Sequence, residues 1–127
     1  MPTQYDRDDR RRLITVVVTD PYTVEDLLAV IDRQFGEGTW AYAVLYDARA
    51  VESIVGQTDA QRLVDHAARV GRGHVRGPVG LWVSATPRRF EGGAVYAAAA
   101  RASSSVEVLL TDTQTNDWIV RSTRQTP

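Results

Sequence analysis

No cysteine occurs in the 127 residues, which excludes disulfides, thiol nucleophiles and thiolate metal sites. Lysine is absent as well. All 15 basic residues are arginine and methionine occurs once, the composition expected of a GC-rich bacterial genome. No apolar run approaches the ~18 residues a membrane span needs. Met1 to Arg12 has no apolar core of a signal peptide, so a cytoplasmic location is expected. Histidine is limited to His66 and His74, with no His-x-x-x-His spacing, and no metal site is expected. No serine sits in a Gly-x-Ser-x-Gly elbow. No catalytic residue or cofactor can be assigned, although carboxylate pairs for acid–base work form in space and are invisible in sequence. A positive balance is also missing. The formal net charge of -1 argues against a nucleic-acid partner.

What is present suits one α/β domain over 1–127, with 1–12 and 121–127 flexible. The hydrophobic share of 43% supports a core, and the 24% charged residues suit a soluble surface. Short β-branched runs alternate with helical periodicities, the pattern of a four-to-five-stranded, mostly parallel sheet. Leu13 to Val18 reads as a strand, and Gln4 to Asp6 pairs with it antiparallel through a turn at Arg7 to Arg10. Thr23 and Asp26 have capping-box spacing. They open a helix that buries Val24, Leu27, Leu28, Ile31 and Phe35, with Gly36 as a left-handed stop. Tyr42 to Asp47 is the next strand. Thr58 and Gln61 then cap a helix with Leu63, Val64 and Ala67 inward and Gly71 as its end. Val79 to Ser84 is a strand, and Thr86-Pro87 starts a helix to about Ala100. Val106 to Leu110 is a last strand whose Glu107 marks a wetter edge. Asp112 caps a closing helix with Trp118 and Ile119.

This order, with the residues that carry it, resembles the uncharacterised bacterial SpoIIAA-like (STAS-like) proteins. The resemblance lies in Tyr46-Asp47, in Val79 to Ser84 leading into Thr86-Pro87, in Phe90 to Tyr96 and in Asp117-Trp118-Ile119. It spans roughly Leu13 to Val120 and implies a right-handed β-α superhelix. Relatives by fold include anti-sigma-factor antagonists, STAS domains of transporters and Sec14-like lipid carriers. The antagonists carry an Asp-Ser-x-Gly phosphorylation motif after the second core strand. Here the matching stretch reads Ile54-Val55-Gly56-Gln57-Thr58-Asp59, which lacks it.

Ligands of open parallel sheets lie beyond the carboxyl ends of the strands. That edge is expected to gather Asp20, Asp47, Ser84, Thr86 and Asp112, residues that also serve as ordinary caps. Arg88 and Arg89 oppose a helix dipole there, and with Thr86 they form a candidate anion site. The Gly71 to Pro78 loop, with Arg72, His74 and Arg76, reads as a flexible turn without stacking aromatics. Both strand faces are apolar, so three covers are open for the face away from the crossover helices: the chain's own termini, a second copy in a homodimer, or a small apolar ligand near Tyr46 and Trp82. The expected function is a non-enzymatic protein-interaction or regulatory module, dimeric by this reasoning. A carrier or sensor of an apolar or anionic ligand is the alternative.

Overall fold

The computed structural model describes residues 2–52, 56–84 and 106–124. Its centre is a five-stranded sheet in the order β1 (Thr3–Asp8), β2 (Leu13–Val18), β3 (Ala43–Asp47), β4 (Val79–Trp82), β5 (Val106–Leu109). β1 is antiparallel to β2, and the remaining pairs are parallel. Among the described residues the helices are α1 (Val24–Gly36), α2 (Gln57–Val70) and α3 (Asp112–Thr123).

Period-two alternation splits the strands between two cores. Ile14, Val16, Val44, Tyr46, Val79 and Val106 face α1 and α2, meeting Leu27, Val30 and Ile31 from one and Ala60, Leu63, Val64 and Ala67 from the other. On the opposite face Leu13, Ala43, Leu45 and Leu109 pack with Trp118 of α3, joined by Trp82 and Ile119. Gly80 makes this second core possible. A Cβ there would stand 3.0 Å from the Trp118 ring and 3.1 Å from Leu109, so only a bare backbone lets the indole lie on the sheet. Of the three covers, the closing helix takes this face. The N-terminal segment instead extends the sheet in plane.

Several boundaries differ from expectation, each for a local reason. The hairpin turns at Asp9 to Arg12, because Tyr5 pairs with Val16 and packs on the α1 side with Arg33 over its ring at 3.9 Å. The strand therefore runs on to Asp8. Far from fraying, Thr3–Asp8 pairs along its whole length. Thr23 caps α1 with Asp26 as foreseen. The left-handed residue, however, is Gly38 (φ 76), not Gly36, since Glu37 still donates its N–H to Arg33. Gln34 was overlooked in the helix face. It is fully buried, and its amide donates to Thr39 O at 3.2 Å. α2 begins two residues early, with Gly56 as its N-cap and no side-chain cap, so Thr58 has no capping role. Starting there turns Ala60 into the core at 0% exposure. α3 is capped by Thr111 with Gln114, not by Asp112, and it runs through Arg121 to Thr123 where a frayed tail was expected. β5 is an edge strand with Glu107 exposed, held by Arg121 at 3.0 Å.

Candidate functional site

The carboxyl ends of β2, β3 and β4 bring some of the anticipated residues together. Asp47 closes β3 and stands beside Trp82, which closes β4, on the α3 side of the sheet. Between them comes Arg49, which sequence reading did not single out. Its Nε donates to Asp47 Oδ1 and its Nη2 to Asp47 Oδ2, both at 2.9 Å. Its guanidinium lies over the Trp82 ring, 3.4 Å from the centroid. The backbone N–H of Arg49 donates to Asp47 as well, at 3.3 Å. Asp112, in the first turn of α3, reaches the far side of the same guanidinium at 4.0 Å.

This fork is fixed from both ends. Ala48 N–H donates to Trp82 O at 2.8 Å, which ties the loop after β3 to the next strand. Bidentate pairing then sets the guanidinium plane, and stacking on the indole sets its height. Burial pushes the Asp47 carboxyl up, but the Arg49 hydrogen bonds outweigh it and hold it below its ordinary range. Arg49 is held above its own range, chiefly by the hydrogen bonds it donates to Asp47, so both groups stay charged. An Asp-x-Arg run directly after a strand was the one local signal that could have pointed to this pair.

Other expected members lie elsewhere. Tyr46 is buried at 7% in the core beneath α1 and α2. It therefore faces away from Trp82, and no single pocket can be lined by both. Asp20 accepts the Glu52 N–H at 2.7 Å and joins the loops after β2 and β3. Ser84 follows the end of β4. Thr86, Arg88 and Arg89, with the helix drawn from Pro87 to Ala100, lie outside the described residues.

The histidines are far from this edge and serve as packing groups. His66 Nε2 meets Asp32 Oδ1 at 2.7 Å between α2 and α1, and His74 stacks edgewise on Phe35 at 5.2 Å. A shallow cleft of about 200 Å³ beside His66 is lined by Leu28, Arg62, Asp65 and Arg69. Its polar groups are already engaged, Arg62 with Glu25 and Asp65 with Gln61. Among the described residues no group of three or more histidines and carboxylates could hold a metal ion. Nor is any of their helices long and apolar enough to cross a membrane.

Fold and site together define an α/β protein with a mostly parallel sheet and an arginine–tryptophan patch at its carboxyl edge. Comparison with protein-family models, with curated proteins and with solved structures finds no match for this chain.

Proposed function

We propose that this chain is a non-enzymatic interaction or regulatory module on a SpoIIAA-like right-handed β-α superhelix, and that Trp82 with Arg49 anchors its partner. The strand order β1-β2-β3-β4-β5, with α1 and α2 on one face, supports the superhelix, because crossovers of one hand add strands side by side. One observation carries the functional reading. A half-buried tryptophan bears an arginine that is clamped by Asp47 and reaches solvent. Tryptophan and arginine dominate binding energy at protein interfaces, and they contribute most when held rigid beforehand. The surroundings suit a flat contact. Val17 lies beside Asp47 in register, and Thr15 follows on the same face. Separation of Tyr46 from Trp82 removes the shared pocket on which a carrier was imagined. A second copy of the chain remains one partner for the patch, though not over Leu45 and Leu109, which α3 occupies.

Photocrosslinking from a benzophenone residue at position 17 tests this reading in cells expressing the full chain. A protein adduct that disappears in Arg49→Glu is expected, and an adduct of twice the protomer mass would identify a homodimer. No adduct, together with a strong thermal shift from a small ligand, would overturn the module in favour of a carrier.

A further inference from the structure

The amino end of the sheet carries a different surface, and the argument for it is independent of the patch around Trp82. Three segments converge there: the Asp9 to Arg12 turn, the Gly36 to Tyr42 connection and the Gly71 to Pro78 loop. Ala43 N–H donates to Arg12 O at 3.1 Å, and Gly77 N–H donates to Trp40 O at 3.0 Å. The starts of β2, β3 and β4 are neighbours, so the outer two segments stand about 10 Å apart, two strand spacings.

The glycine loop is packed closely at both ends. A Cβ on Gly71 would run into the Trp40 ring, and one on Gly77 into the carbonyl oxygens of Ala41 and Tyr42. Gly73 supplies the one left-handed turn, at φ 84. Arg76 lies over the Trp40 ring at 4.8 Å, and His74 stacks on Phe35. Between these contacts the loop offers Val75 to solvent at 87% exposure, the most exposed large hydrophobic residue described.

Charge around Val75 is one-sided. Arg10, Arg12, Arg72 and Arg76 have no carboxylate partner among the described residues, whereas the acids of the same end are all taken. Asp8 holds Arg11, Asp9 holds Arg7, and Glu37 holds Arg33. Arg76 also keeps Nε and Nη2 buried without a hydrogen-bond partner. Arg12 sits at φ 54, a backbone that costs a non-glycine residue of order 1–3 kcal/mol and that a glycine would adopt freely. An arginine is thus kept at a position where the fold itself favours glycine. The aromatics beneath these arginines are Trp40, buried at 6% under Arg76, and the half-buried Tyr42 under Arg12. They support guanidinium groups and leave little ring face for a nucleobase.

We infer that the amino end of the sheet, centred on Val75 between Arg72, Arg76, Arg12 and Arg10, binds an acidic segment of a partner protein that also supplies an apolar side chain. Carboxylates of the segment meet the exposed Arg10, Arg12 and Arg72, and its apolar group covers Val75.

The test is fluorescence anisotropy of the full chain with a labelled peptide of alternating glutamate and leucine. Saturable binding that weakens from 50 to 300 mM salt is expected. Val75→Ser and Arg72→Glu, both at exposed positions, should each weaken it about tenfold with unchanged melting temperatures. Arg49→Glu should leave it unaffected, which separates this surface from the carboxyl-edge patch. A glutamate–serine peptide should bind more weakly than the glutamate–leucine one. The inference is overturned by absence of binding, by indifference to Val75→Ser, or by equal affinity for a single-stranded DNA of matched charge.

Discussion

Two of the three tryptophans each carry an arginine on their ring, at opposite ends of one sheet. Trp40 is buried under Arg76 and wedged against Gly71, whereas Trp82 is half-buried under an Arg49 that reaches solvent. The same pair of residue types is therefore used in two ways. At the amino end the indole is core, and the arginine rests on it. At the carboxyl end the indole is surface, and the arginine orders it. Substituting each tryptophan by alanine should expose the difference. Trp40→Ala opens a cavity beneath Phe35 and Arg76 and is expected to cost about 3–5 kcal/mol. Trp82→Ala removes a stacking contact at a half-buried position and should cost about 1 kcal/mol, while abolishing the crosslink from position 17. Urea unfolding of both variants decides the matter, and equal losses would erase the distinction.

The next effect concerns how the two ends are locked. Steric fit closes the amino end, since the backbone of Tyr42 leaves no room for a Cβ on Gly77. Gly77→Ala should cost about 1–3 kcal/mol, because backbone carbonyls cannot swing aside as a side chain can. Gly36→Ala is the matched control, with nothing within 4 Å of the new methyl. It should be neutral or stabilise by about 0.4–1 kcal/mol. Differential scanning calorimetry of the pair would break the steric account if both shifted the melting temperature alike.

Legibility in the sequence followed the range of the interaction. The strands, the Thr23–Asp26 cap, the stop at Gly71 and the wet edge at Glu107 are local patterns, and they could be read from neighbours in the chain. The clamp on the glycine loop could not. Gly71 and Trp40 are far apart in sequence, and a glycine gives the same letter whether it grants freedom or close approach. Apolarity on both strand faces was legible, but which element covers the second face was not. That choice depends on Gly80 admitting Trp118, a contact between β4 and α3. At the site, Asp47 was legible as a strand-end residue and Trp82 as part of an apolar strand face, although β4 in fact ends at Trp82. Arg49 was missed because a surface arginine after a strand looks like any other until its two partners are seen in space. Tyr46 and Trp82 seemed to be companions, yet the register places Trp82 beside Asp47 and Tyr46 beside Leu81, on the other face.

The smallest effect sharpens the comparison at the carboxyl end, where charge does the work that steric fit does at the other. The Asp47 carboxyl is held below its ordinary value of 3.8, burial opposing and Arg49 prevailing. Its stabilisation is therefore present above pH 3.8 and is lost as pH falls through the lower value it has in the folded chain. The Arg49 side chain is 48% exposed, so solvent screens the pair and its contribution is about 1 kcal/mol. Asp47→Asn should show that loss at pH 7 and converge with the parent protein only once pH has fallen below the lower value of the folded chain, where the aspartate is itself protonated. Asp9→Asn at the amino end offers the contrast. Its carboxyl is also held low, first by Arg7 and then by the Tyr42 hydroxyl, but it is exposed, and its loss should leave the acid limb of the stability curve almost unchanged. Urea unfolding between pH 2.5 and 7 measures both. Parallel curves for Asp47→Asn and the parent protein would show that the Arg49 fork orders Trp82 without stabilising the fold.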